Sequence, residues 1–196
     1  MTRIPLPDRD GLNEAQAAVW DRVVAGPRGR VIGPLRAVIH APDLAARWSA
    51  FGEGLRYGTT IPKRQKELAI AITGRRYSAQ VEWWVHGGGA RDAGVPEAAL
   101  DAIRDNTPPA FDDADDAIVY AFARALHLHG RVTDAEHAAI VARWGVVGVV
   151  ELTAVIGYYT MVSMMLNAQE IPMPEGMAPP LTAPATGLAP LPEERQ

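Results

Sequence analysis

The stretch that most limits what this chain can fold into is Val146–Ala168, V-V-G-V-V-E-L-T-A-V-I-G-Y-Y-T-M-V-S-M-M-L-N-A. At helical spacing it is apolar on every side, so a helix here has no face to give to water. Such a helix crosses a bilayer, runs through the middle of a helical core, or lies in a subunit interface. Glu151 near its start, the Thr, Ser and Tyr residues within it and the lack of a basic flank after it argue against spanning. No segment alternates with the strand period, and no Asn-Gly or Asp-Gly turn joins two alternating runs. The fold class expected is therefore all-α.

Helix punctuation divides the rest. Residues 1–11 read as an extended, proline-containing arm. Asn13 and Gln16 have capping-box spacing for a helix over Glu14–Val24, which Gly26-Pro27 stops. Arg28–His40 reads as a loop with a short helix around Leu35–Ile39. Pro42 opens a helix over Asp43–Tyr57, with Leu44, Trp48, Phe51 and Leu55 on one face. Lys63–Ala93 reads as two helical runs broken near Gly74–Tyr77. Pro96 opens another helix to about Asp105, and Asp112 caps Asp113–Leu126. Thr133 and Glu136 form a capping box for a helix through Trp144, ahead of the apolar one. Residues 1–170 form one helical domain. Residues 171–196, rich in Pro and Ala and without an aromatic, read as a mobile tail or an arm over a neighbouring subunit.

The chain of 196 residues is 48% hydrophobic with a net charge of −4, enough for a sizeable core. Without a basic stripe to neutralise phosphates, nucleic acid is not an expected partner. There is no cysteine, which excludes disulfides, thiolate metal sites and every cysteine-based redox or acyl-transfer reaction. The first residues lack the apolar run of a secretory signal, so a cytoplasmic protein that neither spans nor enters a membrane is expected.

Functional residues concentrate in Lys63–Ala93. Glu67 falls between Ile70 and Ala71 on the helical wheel, over Gly74 and at the edge of an apolar arc. Glu82 and His86, at i and i+4, share one face with Ala79, Gly89, Ala90 and Ala93. Small neighbours leave room for a second backbone or a ligand. The plain alternatives are an exposed i,i+4 pair for Glu82 and His86, and a solvated charge paired with Arg64 for Glu67. Gly87-Gly88-Gly89 weighs against the first, since each glycine inside a helix costs about 1 kcal/mol relative to alanine. Trp83 flanks the small-residue face as a pocket wall or as packing. Glu151 and Tyr158 lie at i and i+7 on the apolar helix, where an acid must be paired, hydrogen-bonded or functional. His40, in a loop, is a further candidate for substrate contact. His127 and His129, at i and i+2, do not share a helix face, so no metal site is expected.

The central residues R-Q-K-E-L-A-I and V-E-W-W-V-H-G-G-G-A-R-D-A-G-V-P resemble the carboxymuconolactone decarboxylase family, which includes the alkylhydroperoxidase D-like (AhpD-like) proteins. The resemblance covers about Pro42–Arg104 and extends toward Ala168. The family motif is an early Glu, a C-x-x-C in the peroxidase branch, and a His shortly after. Glu67 falls on the early Glu and His86 on the His, while Ala79 and Glu82 stand at the cysteine positions. Without cysteines the peroxidase cycle is excluded, and a Glu four residues before the His resembles the decarboxylase branch. The resemblance implies an AhpD-like helical bundle that associates as trimers or hexamers, often with the site at a subunit interface.

It also implies a chemistry. A carboxylated lactone loses CO2, and the enolate-like carbon left behind takes a proton. The reaction requires no metal or organic cofactor. A histidine, ordinarily titrating near pH ~6.5, suits proton transfer at neutral pH. The expectation is a cofactor-free enzyme acting on a small unsaturated carboxylate or lactone. Glu67, Glu82 and His86 are its catalytic groups, and Trp83, His40 and Tyr158 contact substrate. A lactone isomerase or hydrolase using the same groups, or a non-catalytic oligomer that binds a small ligand, are the alternatives.

Overall fold

The computed structural model describes residues 2–182 and 187–195; Met1 of the arm and tail positions 183–186 and 196 lie outside the described residues. Eight α-helices and no strand are present among the described residues: α1 Glu14–Ala25, α2 Pro34–Val38, α3 Pro42–Tyr57, α4 Lys63–Arg76, α5 Gln80–Asp92, α6 Glu97–Arg104, α7 Ala114–His129 and α8 Asp134–Ala168. A single 3-10 turn at Arg9–Gly11 precedes them. The expected all-α fold is observed.

Both capping boxes form, with reciprocal side-chain bonds at Asn13/Gln16 and Thr133/Glu136. The cap of α7 is Asp113 rather than Asp112: the Asp113 carboxylate accepts from the Asp115 amide at 2.8 Å. That helix also runs further than expected, ending at Gly130 in the left-handed conformation. The expected junction between the last two helices is a kink at Gly145, whose φ of 70° and ψ of −177° interrupt α8. α4 does not break at Gly74. The turn falls at Tyr77–Ala79, and Gly74 serves packing instead: a Cβ there would stand 3.2 Å from Glu82 Cβ and from the Trp83 amide. The missing side chain is what lets α5 lie close against α4.

The central helix is α4, not the most apolar one. Leu68 through Ile72 are wholly inaccessible to solvent, because short apolar residues on every side of one helix let neighbours close around it. One core, with Leu68, Ile72, Leu100, Val119 and Phe122, lies between α4 and α5–α7. A second, with Ile70, Trp48, Val155 and Val162, joins α4 to α3 and the later part of α8. The start of α4 is pinned by polar bonds: Arg64 donates to Asp116 at 3.0 and 2.7 Å, and Gln65 donates to the same carboxylate. Lys66 donates to Thr59. Glu151 accepts from the Thr60 amide and hydroxyl, so this acid on the apolar helix caps the loop before α4. α8 keeps Val146, Val147, Val150, Met161 and Met164 exposed on its outer side.

The tail's described residues lie along their own chain. Leu181, Ala189 and Leu191 are buried, and Arg75, Arg76 and Arg124 donate to the carbonyls of Thr182, Ala189 and Leu191. Arginine forks can bind backbone carbonyls where proline leaves few amides to pair. Arg75 and Arg76 therefore face the tail, away from the small-residue face of α5.

Candidate active site

α4 and α5 bring Glu67, Glu82 and His86 together, with 4%, 5% and 2% of their surfaces exposed. The His86 ring stands between the two carboxyl groups. Nδ1 lies 2.6 Å from Glu67 Oε2, and Nε2 lies 3.3 Å from Glu82 Oε2. Glu67 fits because Gly89 has no side chain: a Cβ there would come within 2.6 Å of Glu67 Oε2. Tyr159 stacks edge-on to the imidazole, ring centroids 4.9 Å apart.

The two carboxyl groups are pushed in opposite directions. Burial works to raise Glu67, but the hydrogen bond and charge of His86, with Arg56 and Lys63 beyond, outweigh it and hold Glu67 below the usual carboxylate range. Burial raises Glu82, and the opposing pull of His86, Arg56 and Arg28 does not cancel it. Glu67 is thus the ionised acceptor, which assigns Nδ1 as a donor and turns Nε2 toward Glu82. Glu82 Oε2 is buried and makes no hydrogen bond. A proton can sit on Glu82 or pass to Nε2, so the arrangement is a proton store with a ligand-facing end.

That end opens into a cavity of about 140 Å³. Glu82, His86, Tyr158 and Tyr159 line it, with Trp48 and Val162 as apolar walls. Tyr158 stacks edge-on to Trp48, donates to the Trp48 carbonyl at 3.3 Å, and has a hydroxyl pushed up to about 12 by burial. Glu67 does not line the cavity; it stands behind the imidazole and orients it. Two other expected contacts lie elsewhere. His40 is exposed and its Nε2 is 2.8 Å from the Pro5 carbonyl, so it secures the N-terminal arm. Trp83 points into the first core and covers Gly87, where a Cβ would come within 3.3 Å of its ring. It faces away from the cavity because its position on α5 differs from that of Glu82 by one residue, about 100° of helix.

Sequence reasoning missed Arg28, Arg30 and Arg56, which also line the cavity. They come from the loop after α1 and from the end of α3, so no local spacing ties them to Glu82. The one signal available was a basic residue placed between glycines in a loop, at Gly26-Pro27-Arg28-Gly29. His127 lies elsewhere, 3.0 Å from Thr73 Oγ1, and among the described residues no group of three His, Asp or Glu is arranged to hold a metal ion.

No protein-family model and no curated protein matches the sequence. Solved structures do match its fold. One is the alkylhydroperoxidase AhpD core of an uncharacterized peroxidase-related protein from Ralstonia eutropha JMP134, with 15% identity and a TM-score of 0.70 over 89% of this chain and 93% of that one. A second, an uncharacterized peroxidase-related protein from Silicibacter sp. TM1040, has 15% identity and a TM-score of 0.69 over 89% and 92%. A third is a variant of the debrominase Bmp8 in complex with 2,3,4-tribromopyrrole, with 16% identity and a TM-score of 0.67 over 88% and 91%. The fold is AhpD-like, as the sequence resemblance implied.

Proposed function

We propose that this chain is a cofactor-free, decarboxylase-like enzyme that moves a proton to or from a small unsaturated carboxylate or lactone. The observation that carries the reading is Glu82: a buried carboxyl with an unbonded oxygen, biased toward its protonated form, at the wall of a ring-sized cavity. A carboxyl kept neutral in this way is a general acid. In the proposed reaction the bond from ring carbon to carboxylate breaks and CO2 leaves. The bonding pair delocalises onto the neighbouring carbonyl oxygen as an enolate. Glu82 then delivers its proton to carbon as that pair returns. His86 shares the proton through Nε2, and Glu67 fixes the imidazole so that Nε2 and not Nδ1 meets the cavity. The arginines supply positive charge for the developing oxyanion. A fold neighbour that holds a brominated pyrrole supports a small ring as the kind of ligand this fold accepts. With no cysteine in the chain, a thiol peroxidase cycle is not part of the proposal.

The test is a panel of carboxylated lactones and β-keto acids, with CO2 and product mass followed together. CO2 released in step with one product, and lost in Glu82→Gln, is the expected result. Turnover without CO2 would instead indicate an isomerase or hydrolase built on the same groups.

The outer side of α8 supports a homo-oligomer, for which a trimer or hexamer is the proposed state. Val147, Val150, Thr153, Gly157, Met161 and Met164 repeat at three- and four-residue spacing along one exposed side of that helix. Light scattering at the mass of a monomer would contradict this.

A further inference from the structure

The cavity gathers three arginines, and the one carboxyl on its wall is Glu82, which burial biases toward its neutral form. Arg28, Arg30 and Arg56 line it, and none of them takes part in the ion pairs among the described residues. Glu67 is committed to His86 behind the wall. Arg28 is the most demanding of the three: its Nε and Nη2 are buried with no carboxylate or carbonyl to receive them, and the only polar group beside them is the Tyr158 hydroxyl. Buried cationic donors left unpaired are costly unless a ligand satisfies them. Their position is set by an absent side chain. A Cβ on Gly52 would stand 2.8 Å from Arg28 Nη2 and 2.1 Å from Tyr158 Oη, so both groups occupy the space that glycine leaves. The loop that delivers Arg28 turns at Gly29, with φ of 67°, a conformation residues with a Cβ rarely adopt.

The cavity also limits ligand size. At about 140 Å³ it is close to the ~150 Å³ apolar cavity that accepts one benzene ring. We propose that Arg28 anchors the carboxylate of a single-ring ligand, with Arg56 as a second positive charge beside it. This carboxylate is retained through the reaction, because pairing a guanidinium with the departing carboxylate would stabilise the ground state against loss of CO2. The assignment deepens the reading of Glu82 and His86 as the reacting groups and rests on it for the orientation of the ring.

The experiment is calorimetric titration of the whole chain with benzoate, an unreactive ring carboxylate, against its neutral isostere benzamide and against inorganic phosphate. Wild type is expected to bind benzoate at least tenfold more tightly than either. Arg28→Gln is expected to lose at least tenfold in benzoate affinity, and Arg28→Lys to fall between, since lysine keeps the charge and loses the fork. Should Arg28→Gln fail to fold, Arg28→Lys and the benzamide comparison decide the matter. The anchor is overturned by wild type that ignores benzoate, that binds benzamide equally or phosphate more tightly, or by Arg28→Gln within twofold of wild type. Because binding is read without turnover, an enzyme that fails every substrate assay leaves this test intact. Catalysis with an indifferent Arg28 would remove the anchor alone.

Discussion

Replacing Gly89 by alanine should destabilise the protein, against the usual rule for a glycine inside a helix. The change ordinarily gains about 1 kcal/mol of helix propensity. Here the new Cβ would stand 2.6 Å from Glu67 Oε2 and 3.0 Å from Cδ. The carboxylate must retreat by roughly 0.8 Å to reach van der Waals separation. A shift of that size is enough to take its 2.6 Å bond to His86 Nδ1 beyond the ~3.2 Å hydrogen-bonding range. Losing a hydrogen bond to a charged group costs about 1.5–3 kcal/mol. The net effect is then destabilisation by roughly 0.5–2 kcal/mol. Gly88 is the internal control: it lies on the same helix, and a Cβ there meets nothing within 4 Å. Gly88→Ala should therefore stabilise by up to about 1 kcal/mol. Equilibrium urea denaturation of both variants measures the difference. Gly89→Ala as stable as Gly88→Ala would refute the claim that glycine is present to seat Glu67.

Other outcomes follow from the same geometry. Glu82→Gln should lose turnover yet gain stability at neutral pH. A carboxyl whose folded pKa is raised contributes stability that is fully present below its unfolded value and is lost as pH rises through the folded one; denaturation at pH ~4 and pH ~8, below the ordinary carboxyl value of 4.5 and well above it, checks this. His127 is pushed down by burial to about 4, so the unfolded chain binds its proton more readily between the ordinary 6.5 and 4. Stability should fall across that window by on the order of 3 kcal/mol as pH drops, and His127→Gln should flatten the slope. Gly52→Ala should weaken carboxylate binding tenfold or more by displacing Tyr158 and Arg28, with helical circular dichroism unchanged.

Much of the fold was legible because helix ends follow local chemistry. Asn13 with Gln16, and Thr133 with Glu136, mark starts that form as read. Asp112 and Asp113 are both competent caps, and only the path of the chain chooses between them. Burial was less legible. The run Val146–Ala168 is apolar all round, so its composition cannot say which side meets the core, and the helix that is most enclosed carries charges at both ends. The proline-rich tail reads as unattached by composition, but Leu181, Ala189 and Leu191 bury their side chains and three arginines hold its carbonyls.

At the site, Glu82 and His86 were visible as i and i+4 on one small-residue face. Glu67 was visible as a charge at the edge of an apolar arc, but its place behind the imidazole depends on how two helices cross. Arg28 and Arg56 reach the cavity from a loop and a distant helix, where periodicity carries no information.

The central claim is that Glu82 and His86 deliver a proton to carbon. The most direct measurement is turnover of the carboxylated-lactone panel in D2O, with CO2 and product deuterium counted by mass. The wild type is expected to give one CO2 and one carbon-bound deuterium per product, and Glu82→Gln or His86→Ala, with the fold retained, neither. Undiminished CO2 release from a variant lacking both groups would contradict it.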